Sequence, residues 1–312
     1  MTEAARDHGG GLDAAVTRYG GARANWLDLS TGINPVPYPV GEISSDAWTA
    51  LPDTAAMTRL ELKARAFWGV PDGAELVAAG GASALIAQIP RVLSGDTVAI
   101  PGPTYNEHAA AFRAAGWRVV EDGKAQAHVV VHPNNPDGRA WQISRHPRPV
   151  LVDESFCDVM PELSHIGQAS HPNTIILKSF GKFWGLAGLR LGFAICAPDI
   201  AARLQEMLGP WPASGPALEI GARALADTDW AEATRARLAS DSDRLDALLT
   251  AAGATVAGGT TLFRLYDVGD AAAWQNKLAQ GHVWSRIFPY SERWLRLGLP
   301  APDRWGQLEN AL

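Results

Sequence analysis

A chain of 312 residues, 47% hydrophobic and 19% charged, has the length for about two domains of ~150 residues and a sizeable buried core. Its 27 Lys and Arg against 33 Asp and Glu leave a formal charge of −6, which argues against a general nucleic-acid or acidic-membrane binder and points to small-molecule chemistry. Two cysteines, Cys157 and Cys196, make neither a disulfide framework nor a CxxC pair, so the cytoplasm is the expected compartment.

The chain opens on Met1-Thr-Glu-Ala-Ala-Arg-Asp-His8, charged at once and without the apolar run of a signal peptide, so no cleaved leader is expected. The first 50 residues, with Gly9-Gly-Gly11, Gly20-Gly21, Pro35, Pro37 and Pro39, read as too irregular for a core element. They are expected to form an arm, 1–50, that joins the small domain. From 51 to 208, short β-branched runs alternate with Ala-rich stretches, as in a wound parallel sheet. Strands are expected at Val98–Ile100, His128–His132, Val150–Asp153, Thr174–Leu177 and Gly192–Ile195, with helices over Ser83–Val92 and Asn106–Ala115. Their near-continuous apolar character suits strands covered on both faces. The charge-free stretch Leu76–Pro90 is well short of the ~20 apolar residues of a membrane span.

The connection from Gly138 to Pro149 barely reaches the dozen residues that a parallel crossover needs, so any helix there is a stub. From 209 to 312 the pattern changes to a long helix and a small α+β domain. The helix starts near Thr228, read as its N-cap, and stops at Gly253. Trp230, Thr234, Leu238, Leu245, Leu248/Leu249 and Ala252 give it one apolar stripe. Strands over Thr261–Tyr266 and Trp294–Leu299 flank a helix over Ala271–Gln280. No repeat or low-complexity tract interrupts this order.

Chemistry concentrates in five places. Ser179-Phe-Gly-Lys182-Phe-Trp-Gly-Leu-Ala-Gly-Leu-Arg190-Leu-Gly192 packs one lysine among four glycines after a strand. Glycine lets backbone approach a ligand closely, and a desolvated lysine loses its proton readily enough to form a Schiff base with an aldehyde. Asp153 ends a buried strand where open α/β sheets bind ligands, and a carboxylate there suits a heteroaromatic nitrogen that must stay protonated. Asn135, in His132-Pro-Asn-Asn-Pro136, offers a neutral donor. Gly80-Gly-Ala-Ser83 before a helix suits a phosphate, and Tyr105 suits stacking on a flat ring. Each also has a plainer reading: a glycine-rich turn with an exposed lysine, a helix-capping Asp, an Asn-Pro turn, an ordinary N-cap, a buried tyrosine.

In this order the signals resemble the fold-type I pyridoxal phosphate (PLP) enzymes of the class I/II aminotransferase superfamily, over roughly Asp28 to the C-terminus. The resemblance implies an α/β fold: a mostly parallel sheet wrapped by helices in the large domain, plus a small α+β C-terminal domain. It implies that Lys182 forms the Schiff base with PLP, Asp153 pairs with the pyridine nitrogen, Asn135 bonds the ring hydroxyl oxygen and Tyr105 stacks on the ring. Ala82, Ser83, Ser179 and Arg190 are implied to hold the cofactor phosphate, with no metal. Within the superfamily the chain is similar to the threonine-phosphate decarboxylases of cobalamin biosynthesis, relatives of the histidinol-phosphate aminotransferases. The carriers are His8-Gly-Gly10, Asp28-Leu-Ser-Thr-Gly-Ile-Asn34-Pro35 and Asp153-Glu-Ser-Phe156, with Phe where the aminotransferases usually have Tyr.

That similarity implies substrate binding by His8, Gly32, Asn34, Arg286 and Arg296 and a homodimer. Arg264 lies where a pocket strand runs in the family, and its role stays open. Gly32 replaces the family's usual Asn, and Leu51-Pro-Asp-Thr-Ala-Ala-Met57 has no counterpart to the tyrosine a neighbouring subunit lends to the cofactor phosphate. The implied reaction is decarboxylation of L-threonine O-3-phosphate. The alternatives are a PLP aminotransferase for a small phosphorylated amino acid and a non-catalytic subunit that keeps the fold.

Overall fold

The computed structural model describes residues 8–144 and 146–312; the opening Met1–Asp7 and Arg145 lie outside the described residues. The first half of the chain forms α1 (Leu12–Tyr19), β1 (Leu27–Asp28), α2 (Ser45–Thr49), α3 (Thr54–Trp68), β2 (Glu75–Ala79), α4 (Ala82–Val92), β3 (Thr97–Ala99), α5 (Asn106–Ala114), β4 (Arg118–Val120), β5 (Ala127–Val131) and β6 (Val150–Asp153). Then come β7 (Thr174–Ser179), β8 (Gly192–Cys196), α6 (Pro198–Leu208), α7 (Gly215–Ala224) and α8 (Thr228–Ala251). The chain ends in β9 (Thr255–Thr260), β10 (Phe263–Asp267), α9 (Ala271–Gln280), β11 (Val283–Trp284), β12 (Arg286–Phe288), β13 (Ser291–Gly298) and α10 (Trp305–Ala311). No helix among the described residues is long and apolar enough to cross a membrane.

Two compact units result. The larger, Pro37–Asn135 with Arg139–Glu232, is built on a seven-stranded sheet in the order β2-β8-β7-β6-β5-β3-β4. All its strands are parallel except β8, which runs antiparallel to both β7 and β2. The strand expected at Gly192 is the one that runs against the rest of this mostly parallel sheet. The loop from Phe180 to Leu191 joins β7 to β8 and holds one short 3-10 turn in place of a crossover helix. The edge strands β2 and β4 were not foreseen; β2 is short and its apolar run continues past Gly80-Gly81 into α4, hiding the boundary.

One sheet face presents Val77, Val129, Leu151, Ile175, Leu177 and Ala194 to Leu85, Ile86 and Ile89 of α4, Phe112 of α5 and Leu204 of α6. Each such aliphatic side chain, fully buried, stabilises by about 1.5–3 kcal/mol. On the opposite face Trp68 of α3 meets Phe193 of β8 edge-on, with ring centres 5.0 Å apart. Between β5 and β6 no helix forms among the described residues, not even a stub. Instead side chains strap the extended segment down: the Trp141 N–H donates to His132 Nδ1 (3.0 Å), Gln168 Nε2 to the Ile143 carbonyl (2.6 Å) and Asn173 Nδ2 to that of Pro147 (3.0 Å).

The smaller unit comprises the chain up to Val36, Pro136–Gly138 and Ala233–Leu312. Its antiparallel sheet has the order β12-β13-β10-β9, and β1 pairs in parallel with β11. The N-terminal segment is more than an irregular arm: α1 buries Leu12 and Ala15 against Trp26 and Ala279, and Leu29 donates to the Trp284 carbonyl and accepts from Gly298 N–H. Helix α8 starts at Thr228, the residue expected to cap it, and its cap lies one residue earlier. Asp227, not Thr228, accepts from the Trp230 N–H (3.1 Å), and Ala231, Leu238, Leu245 and Leu249 make the buried stripe.

Gly192 faces the backbone of Gly81 and Ala82 so closely that a Cβ would fall well inside van der Waals distance of Ala82 N. Gly192→Ala is therefore expected to lower the unfolding free energy by about 1–3 kcal/mol, the usual cost of overpacking, as read from urea denaturation of the cofactor-free protein.

Candidate active site

Three strand positions share one line across the large sheet: Ala79 of β2 and Ser179 of β7 both pair with Gly192 of β8. Beyond them lies a cavity of about 210 Å3. The structure places Ala82, Ser83, Tyr105, Asn135, Asp153, Ser179, Lys182 and Arg190 around it, together with Ser155 and Phe156.

One end gathers donors. Helix α4 begins after Gly81 with no side-chain cap, which leaves N–H groups of its first turn facing outward at the positive end of the helix dipole. Arg190 Nη2 donates to Ser83 Oγ (2.8 Å), and its Nη1 to the Ala187 carbonyl (3.0 Å). Arg190 itself sits in the left-handed region, φ 55°, and Gly81, φ 92°, has no side chain to collide with that guanidinium. Ser179 Oγ accepts from the Gly181 N–H at 3.2 Å.

The other end holds a carboxylate. Asp153 closes β6 and is buried. Burial alone would raise its pKa. The hydrogen bond and charge of His108, then the two hydrogen bonds from Ser155, outweigh that and hold the carboxyl below the ordinary carboxylate range. His108 Nε2 lies 2.8 Å from Oδ2, while the Ser155 hydroxyl and N–H reach Oδ1 at 2.5 and 3.0 Å. Between the two ends, Lys182 Nζ lies 5.2 Å from the centre of the Phe156 ring. Asn134 ties its loop down, its Oδ1 accepting from Thr104 Oγ1 (2.6 Å) and its Nδ2 donating to the Pro103 carbonyl (3.1 Å), next to Asn135.

Beneath the site, Glu154 and Asp158 share the buried Lys178 ammonium, at 2.7 and 3.5 Å. Burial would depress that ammonium, but the two carboxylates hold it above its usual value. His132, Glu154 and Cys157 bring possible metal-ligand atoms within 4.8 Å of one another. Both His132 nitrogens and both Glu154 oxygens are already hydrogen-bonded, and burial pushes the Cys157 thiol up, so the group reads as structural. Burial likewise pushes Cys196 up to about 12.

The residues expected to bind substrate belong to the smaller unit. Arg286 and Arg296 pair directly across β12 and β13, so their side chains share one face of the sheet. Arg296 is buried, donates through Nη2 to the Ser30 carbonyl (2.6 Å) and lies over Phe263. Ser30 Oγ in turn accepts from Gly10 N–H (2.7 Å), which brings the His8-Gly-Gly segment beside Ser30 and Thr31; His8 itself is exposed. Gly32 and Asn34 are buried, and Asn34 Oδ1 accepts from Arg237 Nη2 at 2.6 Å. Arg264, left open above, has its fork taken by Asp246 at 2.7–3.1 Å, and Tyr266 donates to the same carboxylate.

Against known families, a model described as aminotransferase class I and II matches residues 40–123 and 121–311. The chain belongs to this family. Threonine-phosphate decarboxylase from Sinorhizobium sp. is 41% identical over 96% of this chain and 94% of its own length, and the one from Pseudomonas aeruginosa 39% identical over 98% and 97%. The fold matches histidinol-phosphate aminotransferase from Sinorhizobium meliloti, solved in complex with pyridoxal-5'-phosphate, with a TM-score of 0.83 at 18% identity, covering 96% and 92% of the two chains. PLP is the cofactor of this aminotransferase-family chain. The donor set fits it: N–H, hydroxyl and guanidinium donors at one end for a phosphate, an ionised carboxylate at the other for a protonated ring nitrogen, and an amine between them.

Sequence reasoning missed His108 and Ser155. A faint signal was present for the first, since Tyr105-x-x-His108 places both on one face at the start of a helix. Because Asp153 is held below its unfolded pKa, its contribution to stability is present above the ordinary carboxylate range and is lost as pH falls through the depressed value. His108→Leu removes the main partner while burial persists. Denaturant unfolding of the cofactor-free protein between about pH 3 and 6 is therefore expected to show the loss of stability setting in at higher pH than in the wild type.

Proposed function

We propose that the protein is a PLP-dependent carboxy-lyase that converts L-threonine O-3-phosphate to (R)-1-amino-2-propanol O-2-phosphate and CO2, a step in cobalamin biosynthesis. The observation that carries this reading is the 39–41% identity to two threonine-phosphate decarboxylases along nearly the whole of each chain. When bound, PLP supplies an electron-withdrawing ring that stabilises negative charge developing at Cα of an amino acid.

The protein's part is binding, orientation and proton control. Ala82, Ser83, Ser179 and Arg190 hold the cofactor phosphate, and Asp153 keeps the pyridine nitrogen protonated. Asn135 bonds the ring hydroxyl oxygen, and Tyr105 covers the ring. Lys182 carries the cofactor before substrate arrives. Its Nζ then delivers the proton to Cα once the C–C bond to the carboxylate has broken and CO2 has left.

Substrate binding is assigned to His8, Gly32, Asn34, Arg286 and Arg296. Two guanidinium groups directly opposite on neighbouring strands repel one another unless an anion lies between them. A substrate with both phosphate and carboxylate suits planar forks that bond two oxygens at once. Which bond at Cα breaks depends on which group stands perpendicular to the ring, so positioning selects decarboxylation over transamination. We place the enzyme in the cytoplasm as a homodimer. Exposed Trp48 and Leu51, 67% and 66% accessible on the larger unit, support a partner copy.

CO2 release by PLP-loaded protein given L-threonine O-3-phosphate, with and without 2-oxoglutarate, tests the reading. Acceptor-independent CO2 is expected. Glutamate formed only with acceptor reassigns the enzyme as an aminotransferase, and silence in both arms makes it a non-catalytic relative. Lys182→Ala is expected to abolish turnover. Arg296→Lys keeps the charge but loses the fork, and a rise in KM of about 10- to 100-fold is expected from the loss of one charge-assisted hydrogen bond.

A further inference from the structure

Lys182 sits in the glycine-rich loop from Phe180 to Leu191, whose backbone is turned by the Gly185 N–H on the Lys182 carbonyl (3.1 Å) and the Leu186 N–H on the Phe180 carbonyl (3.1 Å). Two residues on, Trp184 is completely buried. Its indole lies parallel between two rings, Phe180 at 5.2 Å and Trp230 at 5.4 Å, so stacking restricts its plane. Phe183 (5.2 Å), Phe67 (5.3 Å) and Tyr38 (6.0 Å) close around its edges.

To this packing a hydrogen bond adds a directional tie. Trp184 Nε1 donates to Asp158 Oδ2 at 3.1 Å, between two buried side chains. Asp158 is fixed in its turn. Its Oδ1 accepts from Trp68 Nε1 of α3 (3.0 Å) and lies 3.5 Å from the Lys178 ammonium. Asp158 is five residues after Asp153, and the intervening turn is closed by Ser155 on Asp153 and by the Cys157 N–H on the Glu154 carbonyl. The Trp184–Asp158 bond therefore links the segment that follows Asp153 to the loop that carries Lys182.

We propose that Trp184 and Asp158 are positioning residues: their buried hydrogen bond sets the reach of Lys182 Nζ relative to the Asp153 carboxylate. The inference rests on the reading of Lys182 as the amine that carries PLP and of Asp153 as the partner of its ring nitrogen. A displacement of about 1 Å between such groups is costly in rate, and glycines next to the lysine do not prevent it. Neutral hydrogen bonds on a flexible surface loop would not serve, because water competes for them. Here burial keeps water from competing for the bond.

The test compares two variants that each remove one indole donor from the same carboxylate. Trp184→Phe keeps a stacked ring but unties the lysine loop; Trp68→Phe unties only α3. In PLP-loaded protein with unchanged circular dichroism, the readouts are the pH midpoint of the bound cofactor's visible absorbance and, separately, kcat and KM. Trp184→Phe is expected to move the midpoint by about half a pH unit or more and to lower kcat about tenfold with KM for L-threonine O-3-phosphate little changed. Trp68→Phe is expected to lower the melting temperature and leave the midpoint in place.

An unmoved midpoint in Trp184→Phe, or equal shifts in the Trp184 and Trp68 variants, overturns the proposal, since packing alone then accounts for both. The midpoint reports on Lys182 and cofactor whichever reaction follows. Absence of CO2 from the wild type therefore refutes the decarboxylase reading and leaves this one standing.

Discussion

Two consecutive carboxylates at the end of a buried parallel strand impose the constraint on which the large unit depends. Neither charge is tolerable in an apolar interior without partners. Asp153 and Glu154 alternate in direction, as successive residues in extended chain do, and each draws a different set of groups. Asp153 takes His108 and Ser155 and stands at the cavity. Glu154 turns the other way to Lys178, Ser164 and the His165 N–H, all at 2.6–2.7 Å. The first set keeps a charge available to a ligand. The second cancels a charge within the protein, and so fastens β6, β7 and the segment around 163–165 to one another behind the site.

The reversed strand β8 solves a second problem, that of bringing the start of α4, Ser179 and Arg190 together at one end of the cavity. A crossover helix after β7 would carry the chain away from the carboxyl end of the sheet. The direct turn into β8 instead returns it at once, so that Ser179 and Gly192 pair and Arg190 remains beside them. Ala79 pairs with the same Gly192 from the other side. Because Gly192 lacks a side chain, the start of α4 packs directly on it, and Ser83 reaches Arg190. The helix end carries no side-chain cap of its own.

Much of the architecture was legible because its signals are local. The strands at 98–100, 128–132, 150–153, 174–177 and 192–195, the helices after Gly81 and Tyr105, and the long helix ending before Gly253 follow from apolar periodicity and glycine or proline punctuation. What escaped were elements whose pattern is weak or whose stability is borrowed. Strand β4 is three residues at a sheet edge, and β9 has half of its residues exposed and holds two glycines. Helix α1 and strand β1 lie in a Gly- and Pro-rich stretch, and they are held by Ala279, Trp284 and Gly298 from the far end of the chain.

Residue type and spacing along the chain were enough to single out Lys182, Asp153, Asn135, Ser83 and Arg190, which line one cavity, since a lysine among glycines or an acid ending an apolar strand is visible without coordinates. Direction and partnership were not so determined. That β8 runs antiparallel, that Arg264 is consumed by Asp246 whereas Arg286 and Arg296 face each other, and that Asp153 is held by His108 all depend on which strand lies beside which. Those choices belong to the tertiary structure. A charge buried by folding is stabilised by whatever partner the fold brings within about 3 Å of it, and nothing in the linear spacing of two residues specifies that distance.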